Sequence, residues 1–197
     1  MTMVNRESIQ KVVEQAISVL SKGGIILYPA DTIWGIGCDP VFPEAVKKIY
    51  EIKGRSYNKP LIILVADIPQ LYEVVTGVHP RVDTLLQIHE RPLTVIYPKA
   101  KEKYSHLAAE NGSIAVRVVK SGFCHYLLAQ YGHPLVSTSA NISDTPSPTK
   151  FGTVSSEIIS HVDYALPAFT EKDITGTPSV IASYDENGEL DFLRYVQ

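Results

Sequence analysis

Two cationic side chains set one residue apart, Lys53 and Arg55, lie far upstream of a short run of hydroxyls ending in a carboxamide, Ser137, Thr138, Ser139 and Asn141. Lysine offers a movable point charge and arginine a planar fork, so the first pair suits a triphosphate or another polyanion. The second group supplies only neutral donors and acceptors at the exit of an apolar strand, where open α/β sheets usually hold a ligand. Arg117 interrupts one face of the strand-like run Ser113–Val119 and must reach a partner or water, as a structural ion pair or as an anion receptor. Arg194, near the end of the chain, extends the cationic set. Each feature also has a plainer reading. Lys53 complements a helix C-terminus, and Ser, Thr and Asn side chains commonly satisfy loop backbone groups. Composition alone favours the plainer reading for the serine stretch and leaves it at least as good as a site for Lys53 and Arg55.

Other chemistries are easier to set aside. Ser137 and Ser139 sit in no Gly-x-Ser-x-Gly elbow, and no base can be assigned to them. The six histidines show no metal-ligand spacing, there is no P-loop, and Gly35-x-Gly37 lacks the third glycine of a dinucleotide fingerprint.

The elements that must position these residues follow from pattern. Asn5 can cap a helix carrying Ile9, Val12, Val13, Ala16, Ile17 and Leu20 on one face, closed at Gly23. Ile25–Tyr28 is a doubly buried strand ending at Pro29, and Ala30–Asp39 reads as an irregular turn with two glycines. Pro43 starts a helix with a Glu44–Lys48 pair and a stop at Gly54, so Lys53 and Arg55 flank that stop. Leu61–Val65 is the strongest strand signal, Asp67 caps the next helix, and another helix begins at Pro80. Strands follow at Leu93–Tyr97 and Ser113–Val119, and Ser121 caps a helix ended by Gly132. After Pro134 come the strand into Ser137–Asn141, the Pro-rich Asp144–Thr149 loop, a short helix around Ile158, and a hairpin through Asn187-Gly188. Helices mixed with strands and closed by a hairpin predict a single α/β domain over 1–197. Its twisted sheet should be mixed parallel and antiparallel, flanked by helices.

At 197 residues and 45% hydrophobic content the chain can build a large core. A net charge of −3 with 20% charged residues suggests neither disorder nor a general attraction to nucleic acid. Cys38 and Cys124 are too few and too distant for a disulfide framework, which fits a reduced, cytoplasmic setting. No apolar run reaches the ~20 residues of a membrane span, so a soluble protein without membrane contact is expected.

The order of these segments resembles a known family. Lys53-x-Arg55 followed by Ser139-x-Asn141 resembles the signature pairs of the YrdC/Sua5 family of threonylcarbamoyl-AMP synthases. Gly24–Asp39 is similar to the family's strand and threonine-bearing turn, and Lys48–Arg55, Ala115–Arg117 and Pro134–Asn141 fall in family order, covering about residues 5 to 197. The resemblance implies that L-threonine, bicarbonate or CO2, and ATP give L-threonylcarbamoyl-AMP and pyrophosphate, for modification of tRNA adenosine 37. It implies Lys53 and Arg55 as catalytic residues, with Thr32, Arg117 and Ser179 on threonine and Arg117 on its carboxylate. Lys53, Arg55 and Asn58 are implied along the phosphates or carbamate, and Ser137, Ser139, Asn141, Ser147 and Arg194 on the nucleotide. Mg2+ is expected with ATP, with no protein ligands assigned, and a tRNA threonylcarbamoyl transferase complex is the implied recipient of the product.

The sequence departs from the family in three places. His89–Thr94 replaces the common Trp-Pro-Gly-Pro approach to its threonine, so that loop should take a different path without the glycine's freedom. The apolar Ile63-Leu64 pair stands where some members carry a polar group, which implies one ligand contact fewer. The chain ends after the hairpin, which matches the short, single-domain form. Two rival readings are an RNA-binding module using Lys47, Lys48, Lys53, Arg55 and Lys59, and a regulatory domain that retains the pocket without turnover. The overall negative charge makes any RNA or tRNA contact weak.

Overall fold

An unbroken apolar run buries both faces of a strand, and the centre of this protein is built from such runs. The computed structural model describes residues 3–57 and 59–194, with side chains described for 7–57 and 59–193. In chain order the elements are α1 (Met3–Leu20), β1 (Ile26–Pro29), β2 (Trp34–Cys38), α2 (Pro43–Lys53), β3 (Ile62–Val65), α3 (Ile68–Val74), α4 (Pro80–Ile88) and β4 (Leu93–Tyr97). There follow β5 (Ile114–Val118), α5 (Gly122–Tyr131), β6 (Leu135–Ser139), α6 (Ser156–His161), β7 (Tyr164–Ala165), β8 (Val180–Tyr184) and β9 (Leu190–Arg194). Short 3-10 turns occupy Glu102–Leu107, Phe151–Thr153 and Ala168–Glu171.

The strands join in one mixed sheet in the order β7-β1-β2-β6-β3-β5-β4-β8-β9. Pairings β3–β5, β4–β8 and β1–β7 are parallel, whereas β1–β2, β2–β6, β3–β6, β4–β5 and β8–β9 are antiparallel. This is the expected mixed sheet flanked by helices.

Local signals act as read at several termini. Pro43 opens α2, and Gly54 closes it with φ 56° in the left-handed region, where glycine carries no Cβ penalty. The Asp67 side chain accepts from the Gln70 amide to cap α3, and Gly132 closes α5 at φ 73°. Three expectations need correction. The α1 backbone already includes Asn5, so that residue is not the cap, and its side chain lies outside the described residues. Ser121 stands at the N-cap of α5 but makes no side-chain capping bond. Lys48 pairs with Asp163 at 3.7 Å rather than with Glu44.

A fourth correction shapes the site. Trp34–Cys38 is not an irregular turn but strand β2, with Gly35 opposite Ser139 and Gly37 opposite Ser137. A Cβ on Gly37 would stand 2.4 Å from the Val136 carbonyl oxygen and 3.0 Å from the Tyr28 ring. The glycines are therefore what lets β2 lie against β6 and Tyr28.

Pairing register divides the sheet into two faces. Ser137, Ile62, Ala115 and Ile96 form one cross-strand row, and Leu135, Leu64, Arg117, Thr94 and Ile181 form the next on the same face. The opposite face, with Val136, Ile63, Val116, Val95 and Ala182, is buried in the main core. Arg117 interrupts the apolar alternation because it belongs to the first face.

Candidate active site

The first face is the floor of a cavity of about 280 Å3. It is walled by the Thr32 turn, by Arg55, Pro60 and Leu61, by the end of β6, by the Pro-rich loop at Ser147, and by the Pro178-Ser179 approach to β8. Seven of the residues given site roles by the resemblance line it: Thr32, Arg55, Arg117, Ser137, Ser139, Ser147 and Ser179. Lys53 and Asn141 do not. Asn58 and the Arg194 side chain lie outside the described residues. Leu64, from the apolar pair noted above, contributes to the floor, whereas Ile63 faces the core.

Ser137 and Arg117 are separated by two strand spacings and by one row along the strands, so their Cα atoms stand about 12 Å apart. Arg117 and Ser137 thus lie apart along the floor, which suits a ligand with a negatively charged group at one point and hydrogen-bonding groups at another.

At the arginine end, Arg117 Nη2 stands 2.9 Å from Asp31 Oδ1, with both side chains more than nine-tenths buried. The alignment falls short of a hydrogen bond: Asp31 Oδ1 and Arg117 Nε are both buried without a hydrogen-bond partner. Arg117 is therefore both members of the alternative left open by the sequence, an ion pair and a donor group with capacity for a further anion. The Asp31–Thr32 turn is fixed from outside, because the Thr175 and Gly176 amides donate to the Asp31 and Thr32 carbonyls at 3.0 and 2.8 Å. Beside Arg117 in the sheet, Thr94 Oγ1 and Ser179 Oγ are 2.8 Å apart in a buried pair.

At the β6 end, Tyr28 donates its hydroxyl to Ser137 Oγ at 2.6 Å, which leaves the serine's own proton available to a ligand. Burial raises the Tyr28 hydroxyl well above the ordinary tyrosine range, so it stays a donor at neutral pH.

The Lys53 ammonium has a different task from the phosphate contact the resemblance implies. It is 1% exposed and donates to the carbonyls of Ser139 and Asn141, each at 2.6 Å, with Asn141 Oδ1 at 3.3 Å. Three acceptors match its three N–H groups. Burial, with the Arg55 charge adding to it, lowers its pKa to about 8. Asn141 in turn donates Nδ2 to the Ile142 and Thr145 carbonyls at 3.0 and 2.6 Å. Lys53 and Asn141 thus fix the strand exit from behind while Ser137 and Ser139 face the cavity. Arg55 lines the cavity, with Nε and Nη2 anchored on the Lys59 and Pro60 carbonyls at 3.0 and 3.1 Å.

In the altered loop, the Lys120 ammonium donates to the His89 carbonyl, and no residue from 89 to 92 has a positive φ. That path requires no glycine. Among the described residues no group of three His, Cys, Asp or Glu side chains could hold a metal ion. No described helix is long and apolar enough to cross a membrane.

Tyr28, Asp31 and Thr94 were not singled out as site residues. Strand parity was the available signal for Thr94, which must share the Arg117 face if the two strands pair in this register.

The Sua5/YciO/YrdC family model, described as "Telomere recombination", matches residues 18–195. The chain belongs to this family. Among curated relatives, the threonylcarbamoyl-AMP synthase of Vibrio campbellii is 37% identical over 137 residues, covering 68% of this chain and 74% of that protein. Among solved structures, a doubly substituted P. abyssi Sua5 superposes with a TM-score of 0.79 at 25% identity, covering 87% of this chain and 52% of that one. P. abyssi Sua5 complexed with L-threonine gives a TM-score of 0.72 at 24% identity, covering 87% and 50%, and so supports the fold alone. This chain spans about half the length of that protein.

Proposed function

We propose that this protein is a nucleotidyltransferase that makes L-threonylcarbamoyl-AMP and pyrophosphate from L-threonine, bicarbonate or CO2, and ATP. The observation that carries the reading is the convergence of Thr32, Arg55, Arg117, Ser137, Ser139, Ser147 and Ser179 on one cavity. Membership of a family whose curated relatives are named threonylcarbamoyl-AMP synthases supports the chemistry.

The threonine carboxylate would meet the buried Arg117 guanidinium, whose Nε has no other hydrogen-bond partner. Thr32 and Ser179 would then flank the amino acid's polar groups. The threonine ammonium gives up one proton to solvent, its nitrogen attacks CO2, and loss of a second proton to solvent as the N–C bond forms leaves the carbamate anion. A carbamate oxygen attacks the α-phosphorus of ATP, forming the new P–O bond as the bond to pyrophosphate breaks. No protein nucleophile is required. The protein's part is alignment and charge neutralisation, with Ser137, Ser139 and Ser147 along the nucleotide and Arg55 on the phosphates. Lys53 would act through the Ser139–Asn141 backbone that it holds. At about 280 Å3 the enclosed space lies at the low end of ligand pockets, so part of the nucleotide would extend past the Arg55 wall.

The cavity presents hydroxyls and guanidinium groups rather than a carboxylate cage. Mg2+ would therefore enter as the ATP complex, its charge carried on the phosphates. Threonylcarbamoyl-AMP is a reactive mixed anhydride, and its consumer would be a tRNA-modifying transferase in the cytoplasm.

The test is pyrophosphate release from ATP in the presence of bicarbonate and Mg2+. Release should depend on threonine, with serine a poor substitute. Absence of threonine-dependent release across a range of Mg2+ concentrations would reject the enzyme and favour a binding or regulatory module.

A further inference from the structure

Ser147 lies in a loop with no regular secondary structure of its own, so something outside that loop must set its position. The loop is tied at two points. The Trp34 amide donates to the Pro148 carbonyl at 3.0 Å, immediately after Ser147. The Phe151 amide donates to Glu171 Oε2 at 2.7 Å, and the same oxygen accepts the Trp34 indole N–H at 2.6 Å. One carboxylate oxygen, at the end of the Ala168–Glu171 turn, therefore joins the start of β2 to the end of the Pro-rich loop. The Trp34 and Phe151 rings pack at 5.1 Å between centroids, tilted by 58°. Trp34 also accepts the Ala140 amide on its carbonyl at 2.9 Å, so the residue after Ser139 is registered on the same tryptophan. Glu171 does not line the cavity, yet two of the three serine-bearing segments that do, the end of β6 and the Ser147 loop, are referred to its partner Trp34.

We infer that Glu171 is a positioning residue for the nucleotide half of the site, holding the Ser147 loop and Trp34 in the geometry that ATP requires. The inference rests on the nucleotide assignment proposed above. The same stretch reaches the other half separately: Thr175 and Gly176 hold the Asp31–Thr32 turn through their own backbone amides, and that contact needs no Glu171 side chain. Removing the carboxylate should thus loosen the nucleotide wall and leave the threonine turn in place. Two N–H donors would lose a charged acceptor, and the freed loop would have to be ordered each time ATP binds.

Trp34 is the sole tryptophan of the chain and lies in the cavity wall, so its emission reports on this wall directly. Binding of MgATP to the intact protein, titrated by Trp34 fluorescence, should be roughly tenfold weaker in Glu171→Ala than in the natural protein. Steady-state pyrophosphate release should show a matching rise in KM for ATP with KM for threonine unchanged. Glu171→Gln keeps an oxygen that can accept both N–H groups and should restore ATP affinity, which a loss of folding stability alone would not require. Equal loss of threonine and ATP affinity in Glu171→Ala would overturn the inference, as would unchanged ATP affinity or failure of Glu171→Gln to rescue. A natural protein that binds MgATP in this Glu171-dependent way yet releases no pyrophosphate would uphold the positioning role and reject the proposed reaction.

Discussion

Replacing Lys53 by methionine keeps a long apolar stem and removes the three N–H groups that meet the Ser139 and Asn141 oxygens. Each buried carbonyl left without its donor costs roughly 1–3 kcal/mol, offset in part by relief of the buried ammonium's desolvation. A net loss of about 2–4 kcal/mol is a large share of the ~5–15 kcal/mol typical of a folded domain, and would lower Tm by about 5–15 °C. The pH dependence is more diagnostic than the loss itself. The folded pKa is about 8, below the ordinary lysine value near 10.4. Between those values the unfolded chain holds a proton that the folded chain has released, so this lysine's contribution to stability rises with pH. It is lost again as pH falls through about 8. The limiting slope approaches ~1.4 kcal/mol per pH unit. Urea unfolding of the natural protein and Lys53→Met at pH 7 and pH 9.5 should therefore show a stability gap that widens at the higher pH. Comparing the two proteins cancels the titration of the buried tyrosines, which both retain. A gap that is constant or narrower at pH 9.5 would refute the placement of Lys53 as a desolvated strut behind the strand exit.

Arg117→Met should raise KM for threonine by roughly 100-fold while leaving MgATP affinity near its natural value, the loss of one charge-assisted carboxylate contact. It also strands the buried Asp31 at a cost of roughly 3–5 kcal/mol, so adding Asp31→Asn should recover stability without recovering threonine affinity. An Arg117→Met enzyme with unaltered KM for threonine would show that the carboxylate binds elsewhere. Gly37→Ala should destabilise by roughly 1–3 kcal/mol through the 2.4 Å approach to the Val136 oxygen, measured as a lowered urea midpoint; a neutral result would mean that β2 and β6 are not packed as described. Cys38 and Cys124 are buried, and burial pushes both thiols far above their usual range. Neither should react with a thiol reagent until denaturant is added, and fast labelling of the native protein would contradict their placement.

The strongest signals in the sequence were those where a single residue type has one cheap local conformation. Pro43, Gly54, Asp67 and Gly132 begin or end helices for reasons that act within one turn, and the expected element boundaries stand there. Strand β2 was hidden because Gly35 and Gly37 carry no side chains to alternate. Its identity depends on Val136 and Tyr28, which are distant in sequence and close in space. The two residues of β7 are too few for any period to register. In the site, the residue types of Arg55, Arg117 and the serines were legible as chemistry, but not the direction in which each points. Lys53 illustrates the difference: an ammonium two residues before an arginine reads as a phosphate contact, and only the β6 exit behind it shows that two backbone carbonyls and the Asn141 side-chain oxygen take its donors. Asp31 was similarly silent until the sheet brought it to Arg117, and Glu171 until the Pro-rich loop folded over Trp34.

The proposed reaction joins a threonine-derived carbamate to the α-phosphate of ATP within one cavity. The most direct measurement is mass spectrometry of the nucleotide products formed from ATP, threonine and isotopically labelled bicarbonate. Threonylcarbamoyl-AMP carrying the label on its carbamoyl carbon should form in step with pyrophosphate and be lost in Arg117→Met. Detection of AMP or threonyl-AMP with no labelled carbamoyl group, or of no adenylate at all, would contradict the proposed reaction.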